Sequence, residues 1–104
     1  MHILITGAAG MLGTAIRAKL QKEDHHIVAT DLSADGDQVD ILDIRNWKDV
    51  RKSIEAHRPE LVLHLAAETD VDRCEKEPDH AYETNAFATE NVAQACPEQG
   101  CLMV

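Results

Sequence analysis

The 104-residue sequence predicts an α/β fold built on a doubly wound parallel sheet. Three observations carry that expectation. Short apolar runs alternate with stretches whose apolar residues recur at helical spacing, in the order β-α-β-β-α-β-α-β. One run, "LVLHL" at 61–65, is nearly all apolar, as a strand covered on both faces reads. And "ITGAAGMLGTA", Ile5 to Ala15, places Gly7, Gly10 and Gly13 straight after the first run. Right-handed crossovers between parallel strands then give the strand order 3-2-1-4-5.

Each element has its own signal. "HILIT" (2–6) is a short apolar run ending at glycine, a strand. Leu12, Ala15, Ile16, Lys19 and Leu20 follow at helical spacing, with the Lys19 stem able to lie along apolar surface. "HIVAT" (26–30) and "VDIL" (39–42) read as the second and third strands. Trp47, Val50, Ile54 and His57 mark one face of a helix, with Asn46 as N-cap, Asp49 in the first turn and Pro59 as the stop. "LVLHL" is the fourth strand. Pro78 is suited to open a last helix with the stripe Ala81, Tyr82, Asn85, Ala88, Thr89, Val92 and Cys96, ended by Pro97 and Gly100. "CLMV" (101–104) begins a fifth strand.

Charge and composition narrow the function. Ten Lys and Arg against nineteen Asp and Glu give a formal net charge of −9, which repels a phosphate-rich polymer, so no nucleic-acid partner is expected. A small anion is still accessible to the main-chain N–H groups of a glycine loop. No apolar run approaches the roughly 20 residues that span a bilayer, and no basic leader precedes Met1-His2-Ile3, so a cytoplasmic protein without a membrane partner is expected. Cys74, Cys96 and Cys101 lack metal-ligand spacing and read as reduced packing thiols; the six histidines, His64 among them, are scattered and suggest no metal site.

The glycine loop is the chemical signal. In a strand–turn–helix unit Gly7 permits the tight turn, Gly10 lets the backbone approach a pyrophosphate, and Gly13 lets helix and sheet pack closely. The helix N-terminus then offers free N–H groups to the phosphates. No Gly-Lys-Ser/Thr is present, which excludes a P-loop. Asp31 ends the second strand 18 positions after Gly13, where a carboxylate accepts from adenosine ribose hydroxyls and repels a 2′-phosphate. No Lys or Arg lies between Thr30 and Asp43, so NAD is favoured over NADP. Asp43, closing the third strand, is placed to accept from the adenine amino group with Ile44 against the ring; Asp40 is the rival. These readings make the fold an NAD(P)-binding Rossmann fold with dinucleotide as partner.

"ILITGAAGMLG" and "DIRNWKDVRKSIEAHRPELVLHLAAETDVDRCEKEPDHAYETNAFATENVA" resemble the extended short-chain dehydrogenase/reductases, nearest the dTDP-4-dehydrorhamnose reductase family. The resemblance covers essentially the whole chain. It implies that Gly7, Gly10, Met11, Leu12 and Gly13 hold pyrophosphate, Asp31 the ribose, Asp43 and Ile44 the adenine. It also implies that Ala66 and Ala67 floor the nicotinamide-side ribose and that Asn85 is the helix asparagine near the cofactor. Where the family commonly has an aromatic residue this chain has Glu68, which bears on the sugar substrate.

The family's chemistry uses a Ser/Thr and a Tyr-x-x-x-Lys, in which the tyrosine protonates the substrate oxygen as hydride arrives. Here Tyr82 is the single tyrosine and four residues on is Ala86, so this chain contains no catalytic pair. Residues 1–104 therefore read as the N-terminal part of a dinucleotide-binding domain, without the substrate domain. The resemblance implies a parent enzyme that reduces a 4-keto sugar nucleotide. The alternatives are a sugar-nucleotide epimerase or dehydratase, and a non-catalytic regulatory subunit of the methionine adenosyltransferase beta type. An incomplete sheet with apolar faces and a bare edge is also expected to self-associate.

Overall fold

In a computed structural model, residues 1–32, 38–66, 76, 78 and 83–104 are described. Five strands run parallel in one sheet: β1 (His2–Thr6), β2 (His26–Asp31), β3 (Val39–Ile41), β4 (Leu61–His64) and β5 (Leu102–Met103). Their order is β3-β2-β1-β4-β5, as the sequence predicts. Register pairs Thr6 with Thr30 on one side and with His64 on the other, so the C-terminal ends of β1, β2 and β4 lie level.

Three α-helices are described: α1 (Met11–Leu20), α2 (Trp47–His57) and α3 (Ala88–Glu98), with a π-helical turn, Glu83–Phe87, running directly into α3. Because strand side chains alternate between faces, the core divides in two. Leu4 and Val62 point to one face and meet Val50 and Ile54 of α2 and Ala88, Val92, Ala95 and Cys96 of α3. Ile3, Ile5, Ala29 and Val39 form the other cluster, with Leu20 of α1 packed against it.

Several sequence expectations need correction. The covered residues of α1 are Gly13, Ile16, Arg17 and Leu20, whereas Leu12, Ala15 and Lys19 are exposed. The helix is turned so that its glycine, not Leu12, meets the turn backbone at Gly7 and Ala8. In α2 the face is Val50 and Ile54; Trp47 and His57 lie at its ends and reach solvent, Trp47 beneath the Arg51 guanidinium at 5.4 Å. Asn46 does cap α2, its side chain accepting from the N–H groups of Lys48 and Asp49. Pro97 does not end α3, which continues through Glu98; a proline in the last turn removes a single intrahelical bond. In β4 only Val62 is fully buried, because Leu61 and Leu63 face the α1 side, where they are only partly covered. Ala81 and Tyr82 lie outside the described residues, as do Glu68 and Cys74.

Cys96 and Cys101 are buried free thiols, in keeping with a packing role. Burial, and then the adjoining Cys101 thiol, push Cys96 up to about 12. Among the described residues, no helix is long and apolar enough to cross a membrane.

Candidate functional site

The loop between β1 and α1 is built by sterics. Gly7 has φ +70°, a left-handed conformation that disfavours any side chain, and a Cβ there would lie 2.6 Å from the Ala66 nitrogen. Gly7 therefore serves the turn and also the close passage of the chain leaving β4. A Cβ on Gly13 would collide with the Gly7 carbonyl oxygen and Ala8 Cα, so α1 begins against the turn's own backbone. Gly10 differs: a Cβ there would meet only the Gly7 oxygen, at 3.4 Å, with open space beyond.

That open side faces an uncapped helix end. Gly10 is the N-cap of α1 and supplies no side-chain hydrogen bond, and the first turn holds no acidic residue. The first helical hydrogen bond is Thr14 N–H to Gly10 O, at 2.9 Å. Among the described residues, the N–H groups of Met11, Leu12 and Gly13 thus have no acceptor, and they carry the positive end of the helix dipole. The Met11 side chain is 94% exposed and that of Leu12 is exposed too, so both reach this loop through main-chain atoms.

Asp31 closes one side of the loop. Its Oδ2 accepts from Ala9 N–H at 2.9 Å and its Oδ1 from Leu32 N–H at 2.7 Å, while Arg17 donates to Ala8 O at 3.3 Å. The carboxylate keeps further lone pairs for a ligand. Leu42 N–H donates to Asp31 O at 2.7 Å, which brings Asp43 to the same end of the sheet; Asp40 sits within β3, opposite Thr30.

Asp43 is held by Arg45 through two side-chain contacts, Nε to Oδ1 at 2.9 Å and Nη2 to Oδ2 at 2.8 Å. Arg45, which the sequence reading passed over, brings a cation to this end. Ile44 is corrected: its side chain is 6% exposed and belongs to the core with Leu4, Val50 and Val62, so it offers a ligand main-chain atoms rather than a face for a ring. Its carbonyl accepts from Asn91 Nδ2 at 3.0 Å.

At the other end, Ala66 abuts Gly7 and donates its N–H to Thr6 Oγ1 at 3.3 Å; Ala67 lies outside the described residues. Asn85 is exposed in the π-turn, and its carbonyl accepts from the Thr89 hydroxyl at 2.9 Å. His64 joins the two, with Nδ1 2.8 Å from Thr6 Oγ1 and Nε2 2.8 Å from Thr89 Oγ1. Burial holds the imidazole below its usual pKa. The signal for this network was a histidine alone among leucines and a valine in "LVLHL", opposite a threonine once the register is known.

A parallel 3-2-1-4-5 sheet whose first strand turns through a glycine loop into an uncapped helix, with an acid at the end of β2, is an NAD(P)-binding Rossmann fold, here with four strands and a short fifth. The chain belongs to the RmlD substrate binding domain family, which it matches over residues 1–104, and is thus of the short-chain dehydrogenase/reductase type. It is 34% identical over 101 residues to dTDP-4-dehydrorhamnose reductase of Streptomyces griseus, covering 97% of this chain and 31% of that protein. It is 29% identical over 101 residues to methionine adenosyltransferase 2 subunit beta of Xenopus tropicalis, covering 97% and 30%. Among solved structures, dTDP-4-dehydrorhamnose reductase of Bacillus anthracis in complex with NADP superposes with TM-score 0.85 at 36% identity, over 98% of this chain and 34% of that one. UDP-glucose 4-epimerase of Thermus thermophilus in complex with NAD gives TM-score 0.88 at 28% identity, over 98% and 36%. The chain spans about a third of the length of the curated relatives it matches.

Proposed function

We propose that residues 1–104 are the dinucleotide-holding portion of an NAD(P)-dependent reductase acting on a 4-keto sugar nucleotide, similar to dTDP-4-dehydrorhamnose reductase. The observation that carries this reading is the uncapped α1 terminus at Gly10: three N–H groups without an acceptor among the described residues, beside space that a Cβ would otherwise fill. Such a cradle suits a pyrophosphate. The main chain of Met11, Leu12 and Gly13 would hold it, Asp31 would take the adenosine ribose, Asp43 and the Ile44 main chain the adenine. Ala66, Ala67 and Asn85 would border the nicotinamide side. A bound dinucleotide supplies or accepts hydride.

Asp31 beside the loop supports NAD, as a carboxylate there disfavours a 2′-phosphate. Arg45 is the group that would admit NADP, after leaving Asp43. The Tyr-x-x-x-Lys pair and the substrate domain would belong to a part of the protein outside these residues. A second reading, a regulatory subunit of the same fold, is supported by the likeness to methionine adenosyltransferase 2 subunit beta.

Calorimetric titration of the chain with NADH and NADPH tests the reading. Weak binding with NADH preferred is expected, lost by at least tenfold in Gly10→Val, whose side chain would stand where the pyrophosphate lies; tenfold is about 1.4 kcal/mol. Equal affinity in Gly10→Val and wild type would remove the loop's assigned role. No turnover of a 4-keto sugar nucleotide is expected from this chain.

A further inference from the structure

The contacts around His64 have a direction. A hydroxyl carries one proton, and a carbonyl only accepts. The Thr89 hydroxyl donates to the Asn85 carbonyl, so toward His64 it can only accept. Nε2 must therefore carry the imidazole proton. In the neutral ring that leaves Nδ1 bare, and it accepts from the Thr6 hydroxyl 2.8 Å away. The Thr6 oxygen still accepts the Ala66 N–H. One chain of donors runs from Ala66 N–H through Thr6, His64 and Thr89 to Asn85 O, every member paired.

Its two ends are the places that matter. Ala66 is the residue whose backbone excludes a side chain at Gly7. Asn85 sits in the middle of a π-turn, Glu83–Phe87. Such turns are rare and recur at functional sites. A threonine bonding back to the carbonyl four residues earlier is a local device. Anchoring that same threonine to a strand by a histidine is not local: it fixes the turn relative to the sheet.

We propose that His64, as the Nε2–H tautomer, is a positioning residue that locks the π-turn bearing Asn85 to the C-terminal ends of β1 and β4, beside the glycine loop. That Asn85 meets the nicotinamide end of a dinucleotide rests on the reading above; the lock itself does not. Its consequence is that a dinucleotide seated on the loop finds Asn85 already placed, without the cost of ordering the turn on binding.

Nitrogen-15 NMR of the chain decides the matter, with wild type, Thr89→Val and Thr89→Ser compared at pH 7.5. Wild type and Thr89→Ser are expected to show the Nε2–H pattern at His64. Thr89→Val is expected to lose that bias and shift the amides of Asn85 to Phe87, while those of β2 stay in place. An Nδ1–H pattern or an imidazolium in wild type overturns the proposal, whether or not the variants fold. So do unmoved π-turn amides in Thr89→Val. NADH titration of the same samples is expected to show affinity lower by about three- to tenfold in Thr89→Val, the range of one hydrogen bond, and restored in Thr89→Ser. Equal affinity in wild type and Thr89→Val overturns the positioning role. No NADH response in wild type refutes the dinucleotide reading instead, and the tautomer and π-turn amides then decide the lock alone.

Discussion

The Ala9 N–H points at Oδ2 of Asp31 from 2.9 Å, so the carboxylate that ends β2 is also a strut of the glycine loop. Two effects are therefore expected from Asp31→Ala. The loop loses an acceptor for the N–H groups of Ala9 and Leu32, costing about 1–3 kcal/mol of stability by denaturant unfolding. The preference for NADH over NADPH also narrows, because the charge that repels a 2′-phosphate is gone. If the calorimetric affinity ratio is unmoved, Asp31 is a strut only.

Gly13→Ala tests the packing of α1 separately from any ligand. The added methyl would run into the Gly7 carbonyl and Ala8 backbone, which cannot swing aside as a side chain can. Overpacking of this kind costs about 1–3 kcal/mol. Gly7→Ala is expected to cost more, since it adds the left-handed φ to a backbone clash at Ala66. A melting temperature unchanged in Gly13→Ala would contradict the close approach.

His64 gives the chain a pH dependence whose sign can be worked out. Burial lowers its folded pKa below the usual value of about 6.5. Above that value the ring is neutral whether the chain is folded or unfolded. Below it the unfolded chain binds a proton that the folded chain does not, so stability falls as pH drops from about 6.5 toward the folded pKa. Urea unfolding between pH 7.5 and 5.5 is expected to show this loss and His64→Gln to flatten it. An equal slope in both proteins would assign the dependence to other groups.

Much of this was legible because the signals were steric or alternating. Glycine at 7 and 13, the cap at Asn46 and the apolar strands each constrain the backbone directly, and these fell in place. What escaped depended on contacts distant in sequence. Ile44 follows an acid at a strand end and looks available to a ring, yet it turns inward to Val50 and Val62. The face of α1 shifted because Gly13 occupies the closest approach, and apolar spacing alone rewards Leu12 instead. The π-turn has no periodic signature over one turn. Its mark in the sequence is Thr89 four residues after Asn85, a pair that means little until His64 is seen between Thr89 and Thr6.

Self-association is expected from the β5 side of the sheet. Leu102 is 73% and Val104 74% exposed, and Leu61 and Leu63 on neighbouring β4 are only partly covered. A strand edge with apolar neighbours recruits partners. Light scattering of the chain over a concentration series should show the mean mass rising. A constant monomer mass would mean that the two short residues of pairing in β5 are protection enough.

β1 lies in the middle of the sheet, while its two neighbours follow it at very different distances along the chain, and this sets an order of assembly. Ile3 pairs with Ile27 on one side and with Leu61 on the other. The buried cluster of Ile3, Ile5, Ala8, Ala29 and Val39 is drawn from residues 3–39, with Leu61, Leu63 and Leu65 added on its β4 side. In the opposite cluster Leu4 has Val28, Leu42 and Ile44 early in the chain, but most of its cover comes later, from α2, β4 and α3. The centre of one face can thus form while most of the other still awaits its residues. Closing the longer loop adds little entropy, since each doubling costs only about 0.6 kcal/mol. The delay falls on the β4-facing edge of β1, which must be kept from wrong partners until residues 61–64 pair with it.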